Sequence, residues 1–318
     1  MRPARILAIT ILCAAFGVAF VPSGSQAAGV TAAYDIKTDG RSLEELQAQA
    51  RSGSAEASYV LGLRYVQGIG VAKDSAAAFA QMRIAAEKGL PAAQIALGVY
   101  FLTGTGTVAN AKDGFKWIAT AAKSGDAGAQ GILGELYLEG TGVKQSRKDA
   151  LKWMYAAANQ GDSDAQYGLG VVLAQGDDKT RNLGEAFKWY KRAAETGNID
   201  AQIEVGKAYM NGWGVAQDPG MAYGWFKPLA KGGNAFAQTQ LGFIYLQGKV
   251  PGQSPASSSG IKCFYLASKQ GNPDATTQFQ RMARDNPGFA KAIIQADAMS
   301  VSNSMTQGEW GMPGISCE

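Results

Sequence analysis

Apolar residues along this chain recur with the three-and-four step of an amphipathic helix, and the whole pattern then repeats every 36 residues. Glycines mark the period without a slip at Gly62, Gly98, Gly134, Gly170, Gly206 and Gly242. Five residues before each stands an alanine, at Ala57, Ala93, Ala129, Ala165, Ala201 and Ala237. Three residues after each stands a large apolar side chain, at Tyr65, Phe101, Tyr137, Leu173, Tyr209 and Tyr245. Small residues on one helical face let two backbones approach closely, so this stretch reads as a first helix, A, that packs tightly on a neighbour.

A second glycine column, Gly68, Gly104, Gly140, Gly176, Gly212 and Gly248, follows the last apolar residue. Glycine takes the left-handed C-cap conformation without a steric penalty, so helix A is predicted to end there. Six residues on, Asp74, Asn110, Ser146, Asn182, Asp218 and Ser254 are all able to accept hydrogen bonds from the orphan amides of a new helix, B. Helix B carries Trp117, Trp153, Trp189 and Trp225, then alanine pairs such as Ala121 and Ala122, and closes on glycine. Burying an indole removes about 200 Å² from water, worth roughly 5 kcal/mol, which assigns the tryptophan column to the core. In the sixth copy a Pro/Ser-rich insert over 250–260 delays the closing glycine to Gly271, and Cys263 occupies the tryptophan column.

A period of this length predicts an all-α, right-handed α-solenoid of six 36-residue helix-turn-helix repeats over 54–272. Terminal repeats need covers. Residues 42–53 resemble a lone helix B, residues 273–284 a lone helix A, and 287–299 a further capping helix, so the solenoid is predicted to span 42–299, with its C-terminal cap at 273–299. Residues 300–318, rich in Ser and Gly, read as a loose tail. At the other end, Arg2 and Arg5 precede an apolar run over 6–21 and a small-x-small site before Ala28, the signature of a cleaved export signal over 1–27. That run is shorter than the roughly 20 residues of a spanning helix, so no transmembrane anchor is expected. Residues 28–41 would then form a flexible mature N-terminus, and the mature chain would be periplasmic or secreted.

Loss of the signal leaves 28 basic against 26 acidic residues, scattered as solvated helix faces. That is no footprint for nucleic acid. The chain contains no histidine, which removes the commonest general base, the Ser-His and Cys-His nucleophile pairs and imidazole ligation of metals. No cofactor, metal site or catalytic residue is expected. Gly104-Thr105-Gly106 and Gly140-Thr141-Gly142 follow a helix rather than a strand, so they read as hairpin turns and not phosphate loops. Glu135 and Glu139 share one stripe of one helix. A glycosidase needs carboxyls flanking a bond from two sides, so this pair reads as surface charge or a groove contact. Cys263 and Cys317 either pair, closing a loop that pins the tail, or remain a buried thiol and a tail thiol.

The pattern Ala-x-x-x-Leu-Gly-x-x-Tyr-x-x-Gly, an Asp-type cap, Trp, Ala-Ala and Gly resembles the Sel-one-like repeat (SLR) family, relatives of the tetratricopeptide repeats. The resemblance covers residues 55–272. It implies a stack of helical hairpins that serves as an adaptor and binds a partner protein, with roles such as exopolysaccharide control and envelope signalling among its members. Some secreted members are associated with β-lactams, but those are cysteine-rich, and this chain lacks their disulfide framework. A β-lactamase-like or peptidoglycan-acting enzyme, and a cell-wall glycan or host-interaction module, are the rival readings. By analogy with tetratricopeptide grooves, the partner-binding residues are expected to be Glu56, Tyr59, Leu63, Ile95, Val99, Glu135, Glu139, Tyr167, Lys207, Asn211, Phe236 and Phe243. Trp213, set between two glycines of an A-to-B turn, is added as an exposed contact residue.

Overall fold

The computed structural model describes residues 39–176, 181–250, 257–307 and 317. The export signal predicted over 1–27 and most of the tail lie outside them. The described residues form fifteen α-helices and no strand, in two compact units that meet between Arg181 and Asn182.

The first unit contains α1 (Leu43–Arg51), α2 (Ala55–Gln67), α3 (Ser75–Glu87), α4 (Pro91–Thr103), α5 (Ala111–Lys123), α6 (Ala127–Glu139), α7 (Arg147–Ala158) and α8 (Ser163–Ala174). The second contains α9 (Leu183–Glu195), α10 (Ile199–Asn211), α11 (Pro219–Lys231), α12 (Ala235–Leu246), α13 (Ser257–Lys269), α14 (Pro273–Asp285) and α15 (Pro287–Gln307). Helices α2, α4, α6, α8, α10 and α12 are the A helices. The last helix passes the expected end at Met299, because the chain meets no glycine or proline between Ser300 and Gln307.

Caps set the helix boundaries. Asp74, Asn110, Ser146, Asn182 and Asp218 accept backbone amides at the start of each B helix, whereas Ser254 falls outside the described residues. Ser54, Asp126, Asp162, Asn198, Asn234 and Asn272 do the same for α2, α6, α8, α10, α12 and α14, each accepting the amide of the recurring alanine. Gly104 ends α4 in the left-handed region, φ 74°, where a side chain is strained.

The period glycine exists because a side chain sits on it. A Cβ added at Gly98 would lie 2.7 Å from Ile118 Cδ1, at Gly134 2.6 Å from Met154 Cγ, at Gly206 2.5 Å from Phe226 Cζ and at Gly242 2.7 Å from Phe264 Cζ. Backbone follows side chain into the gap: the same Cβ at Gly98 would be 3.1 Å from the Gly114 carbonyl. The fully enclosed column of helix B is therefore Met82, Ile118, Met154, Phe226 and Phe264, one residue past the tryptophans. This corrects the core assignment of the tryptophan column. Trp189 is buried, but Trp117, Trp153 and Trp225 are only partly so. Trp117 lies against Ala85, Ala86, Ala93 and Leu97, and Trp153 against the Ile118 cluster: each tryptophan seals the edge of a junction between repeats.

Edge-to-face aromatic pairs fasten one B helix to the next A helix: Phe79 with Phe101 at 5.3 Å, Phe115 with Tyr137 at 5.4 Å, Phe187 with Tyr209 at 5.3 Å and Tyr223 with Tyr245 at 6.0 Å. Such pairs add about 0.5–1.5 kcal/mol beyond their buried area. The junction of the third and fourth repeats carries Leu151 and Leu173 at these positions instead.

Candidate functional site

In the first unit the expected groove residues divide by their column on helix A. Val99 is 1 % exposed and has no surface to offer a partner. Leu63 lies against Ala78, Met82 and Tyr100, and Ile95 against the cluster around Ile118 and Leu133. Val99 was assigned to the groove and is enclosed instead; Leu63 and Ile95 contribute to packing between repeats and stay partly accessible. Tyr59 also contributes to packing, against the Met82 and Leu97 clusters, while remaining partly accessible, as does Tyr167. Glu56 is fully exposed. What reaches solvent along these A helices is thus a mixed acidic and aromatic strip.

Glu135 is the unusual member. Its Oε2 atom is buried and has no hydrogen-bond partner. Burial, reinforced by the negative charges of Glu139 and Asp164, pushes its carboxyl up to about 8. Glu139 accepts from the Thr141 hydroxyl at 3.3 Å, and burial also raises its carboxyl. Asp162, the α8 cap, is raised by burial against the pull of the Ala165 amide it accepts. Tyr100 is pushed up to about 12 by burial and by Tyr59.

In the second unit Lys207 pairs with Glu204 at 2.7 Å, and the exposed Asn211 donates to the Lys207 carbonyl at 2.9 Å. Phe243 stacks edge-on to Phe264 at 5.1 Å and Phe236 to Phe226 at 6.1 Å; both were assigned to the groove and both act in packing. Trp213 is 48 % exposed, with Met221 nearby in sequence at 46 %. Cys263 is enclosed and paired with Cys317, Cα atoms 4.8 Å apart, within the range a disulfide takes. The last helix is tied to α13 by the Tyr265 hydroxyl, which donates to Asp297 at 2.9 Å, and by Lys269 on the same carboxylate. Burial, with that bond, holds the Tyr265 phenol up at about 12.

The glycine turns serve the stack. A Cβ at Gly106 would overlap the Ser75 carbonyl, at Gly142 that of Ala111, and at Gly214 that of Leu183, so in these three turns the second glycine abuts the first turn of the preceding B helix. No phosphate cradle is formed there. Among the described residues no group of three or more acidic or cysteine side chains is arranged to hold a metal ion, and no helix is long and apolar enough to cross a membrane.

One recurring device escaped the sequence pattern. Gln94, Gln130, Gln166, Gln202 and Gln238 follow the recurring alanine, and each Nε2 donates to a carbonyl at the end of the preceding B helix: Ala86, Ala122, Ala158, Ala194 and Ala230, at 3.1–3.3 Å. Gln160 and Gln270 donate in turn to Gln130 and Gln238. The 36-residue recurrence of glutamine after alanine was the available signal, masked because glutamine ordinarily belongs to the surface.

The Sel1 repeat profile matches residues 55–90, 91–126, 127–162, 163–198, 199–234 and 235–272. Among solved structures, the chain is similar to c5321, a protective antigen present in uropathogenic Escherichia coli strains that displays an SLR fold. The identity is 32%, the TM-score 0.72, and the match covers 84% of this chain but only 56% of the antigen. A Sel1 repeat protein from Oxalobacter formigenes is 30% identical with a TM-score of 0.59, covering 70% of this chain and 89% of that one. Among curated proteins none matches. Six consecutive matches over 55–272, each bounded by the caps and glycines that build one hairpin, place this chain in the Sel1 repeat family.

Proposed function

We propose that this chain is an exported, non-catalytic scaffold that binds a partner protein in the cell envelope through the exposed faces of its A helices. Sel1 repeats form a protein-interaction fold, and the finer reading rests on a contrast within the repeat. Columns that build the stack vary little: small residue, glycine, enclosed apolar residue, glutamine. The exposed and half-exposed column that opens the A helices instead reads Glu56, Ala92, Gly128, Asp164, Asp200 and Phe236, which is where one member of a shared architecture can encode its own partner. The strip is open and mixed in polarity, suited to a polypeptide rather than to a small metabolite, which favours a closed pocket. Export follows from the signal read at 1–27. Affinity capture from envelope extracts by the mature chain tests this, in parallel with a Tyr59→Ala/Tyr167→Ala variant of equal helical content. A protein retained by the first and lost by the second is the expected result; equal retention by both overturns the assignment of the face.

A further inference from the structure

The junction between the third and fourth repeats is built unlike the others. Gly131 and Gly168 stand where the remaining copies carry Tyr59, Ile95, Tyr167, Ile203 and Thr239, or Val60, Ala96, Ile132, Glu204 and Gln240. The aromatic pair is missing as well. Consequently α6 and α8 approach one another by backbone, with the Gly131 position facing Ala165. Gly168 is buried, yet a Cβ built on it would meet nothing within 4 Å. At the first junction Leu63 and Ala96 pack on one shared cluster; two repeats on, Glu135 takes the place of Leu63 and Gly168 that of Ala96. Glu135 is partly exposed as a residue, but its Oε2 is enclosed without a partner. An enclosed carboxyl oxygen with no partner is a destabilising feature that a matching donor would relieve.

The charges that act on Glu135 are negative: Glu139 from its own helix and Asp164 from α8. From α7, the Arg147 guanidinium donates to the Val172 carbonyl at 2.6 Å. We propose that this junction is a socket for one cationic side chain, a lysine or arginine of the bound partner polypeptide, received by the Glu135 carboxylate beside Gly168, with Glu139 and Asp164 at its mouth. The socket rests on the scaffold reading for the source of that side chain. Glu135 holds a proton at neutral pH, so accepting a cation releases one proton to solvent. Affinity should then rise about tenfold per pH unit up to about 8 and level off above it.

The probes are N-acetyl-arginine amide and N-acetyl-lysine amide, with the uncharged isostere N-acetyl-citrulline amide as control. They are added to the full mature chain carrying ¹³C-carboxyl glutamate, the Glu135 signal being the one lost in Glu135→Gln. At least one cationic probe should move the Glu135 titration to lower pH, while citrulline leaves it in place. Gly168→Leu, which fills the space, should abolish the movement. Should that variant fail to fold, saturation transfer to the cationic probe supplies the same decision, strong for the wild type and lost for Glu135→Gln. An unmoved titration, or equal movement by citrulline, overturns the socket. The measurement needs no partner. A groove-dependent partner without a probe effect refutes the socket alone, and a probe effect without such a partner keeps the cation site while refuting the scaffold reading.

Discussion

Replacing Gly98 by alanine places one methyl group at the tightest point of a hairpin. That methyl would stand 2.7 and 2.8 Å from Ile118 Cδ1 and Cγ1 and 3.1 Å from the Gly114 carbonyl. The isoleucine is fully enclosed and the carbonyl is backbone, so neither yields without moving α5 against α4. Overpacking of this kind costs about 1–3 kcal/mol. Alanine recovers about 0.5–1 kcal/mol over glycine inside a helix, leaving a net loss of about 1–2 kcal/mol. Gly168→Ala is the internal control. It lies in the same unit, in the middle of α8, with nothing within 4 Å of the new methyl, and it should gain about 0.5–1 kcal/mol. Hydrogen exchange of amides in α4 and α5, read by mass spectrometry under native conditions, reports each effect locally and does not require the array to unfold in one step. Ile118→Ala should cost less in the Gly98→Ala background than in the wild type, since each change relieves the other. Equal protection in Gly98→Ala and wild type would refute the reasoning, as would a loss on Gly168→Ala matching that on Gly98→Ala.

Two further expectations concern ionisation and covalent closure. The Glu135 carboxyl is raised from 4.5 to about 8, so the folded state holds its proton more tightly than the unfolded state. Stability is therefore greatest, as far as this group is concerned, below about pH 4.5, falls between about 4.5 and 8, and stays low above that. The full difference is on the order of 5 kcal/mol at about 1.4 kcal/mol per unit. Glu135→Gln should flatten that slope in urea denaturation at pH 5 and pH 8; parallel curves for the two proteins would contradict it, and Asp162, raised in both, cancels from the comparison. The Cys263 to Cys317 pairing spans 54 residues, worth about 4 kcal/mol in the chain-entropy account. Exported protein should resist alkylation until reduced, and Cys317→Ser should lower the stability of the last hairpin; two freely alkylating thiols would refute the bond.

The sequence carried the architecture well because its signals are periodic and locally forced. Gly104 can end α4 and Asn110 can start α5 with no knowledge of the rest of the chain, and six copies of each signal average away accident. Resolution fell to one residue where adjacent positions on helix B are both apolar: Trp117 and Ile118 fit the same helical stripe, and only the gap at Gly98 decides that the smaller one goes in. The groove was harder to read. On an A helix the positions turned toward a partner and those turned toward the next repeat are neighbours in angle, so Val99 was assigned outward when it packs inward, and Phe243 is half-buried while also packing on Phe264. Glu135 was visible as half of a carboxylate pair. The enclosure of its Oε2 was not, because that is set by packing between helices, which no spacing within α6 reports.

The central claim, that the A helices carry the binding face, is tested most directly by a photo-crosslinking amino acid placed in the living cell at Tyr167 on α8 and, separately, at Lys188 on the exposed side of α9. The account predicts a discrete protein adduct from position 167, recovered in the envelope fraction, and none from position 188. A discrete adduct from position 188 with none from 167 would contradict it.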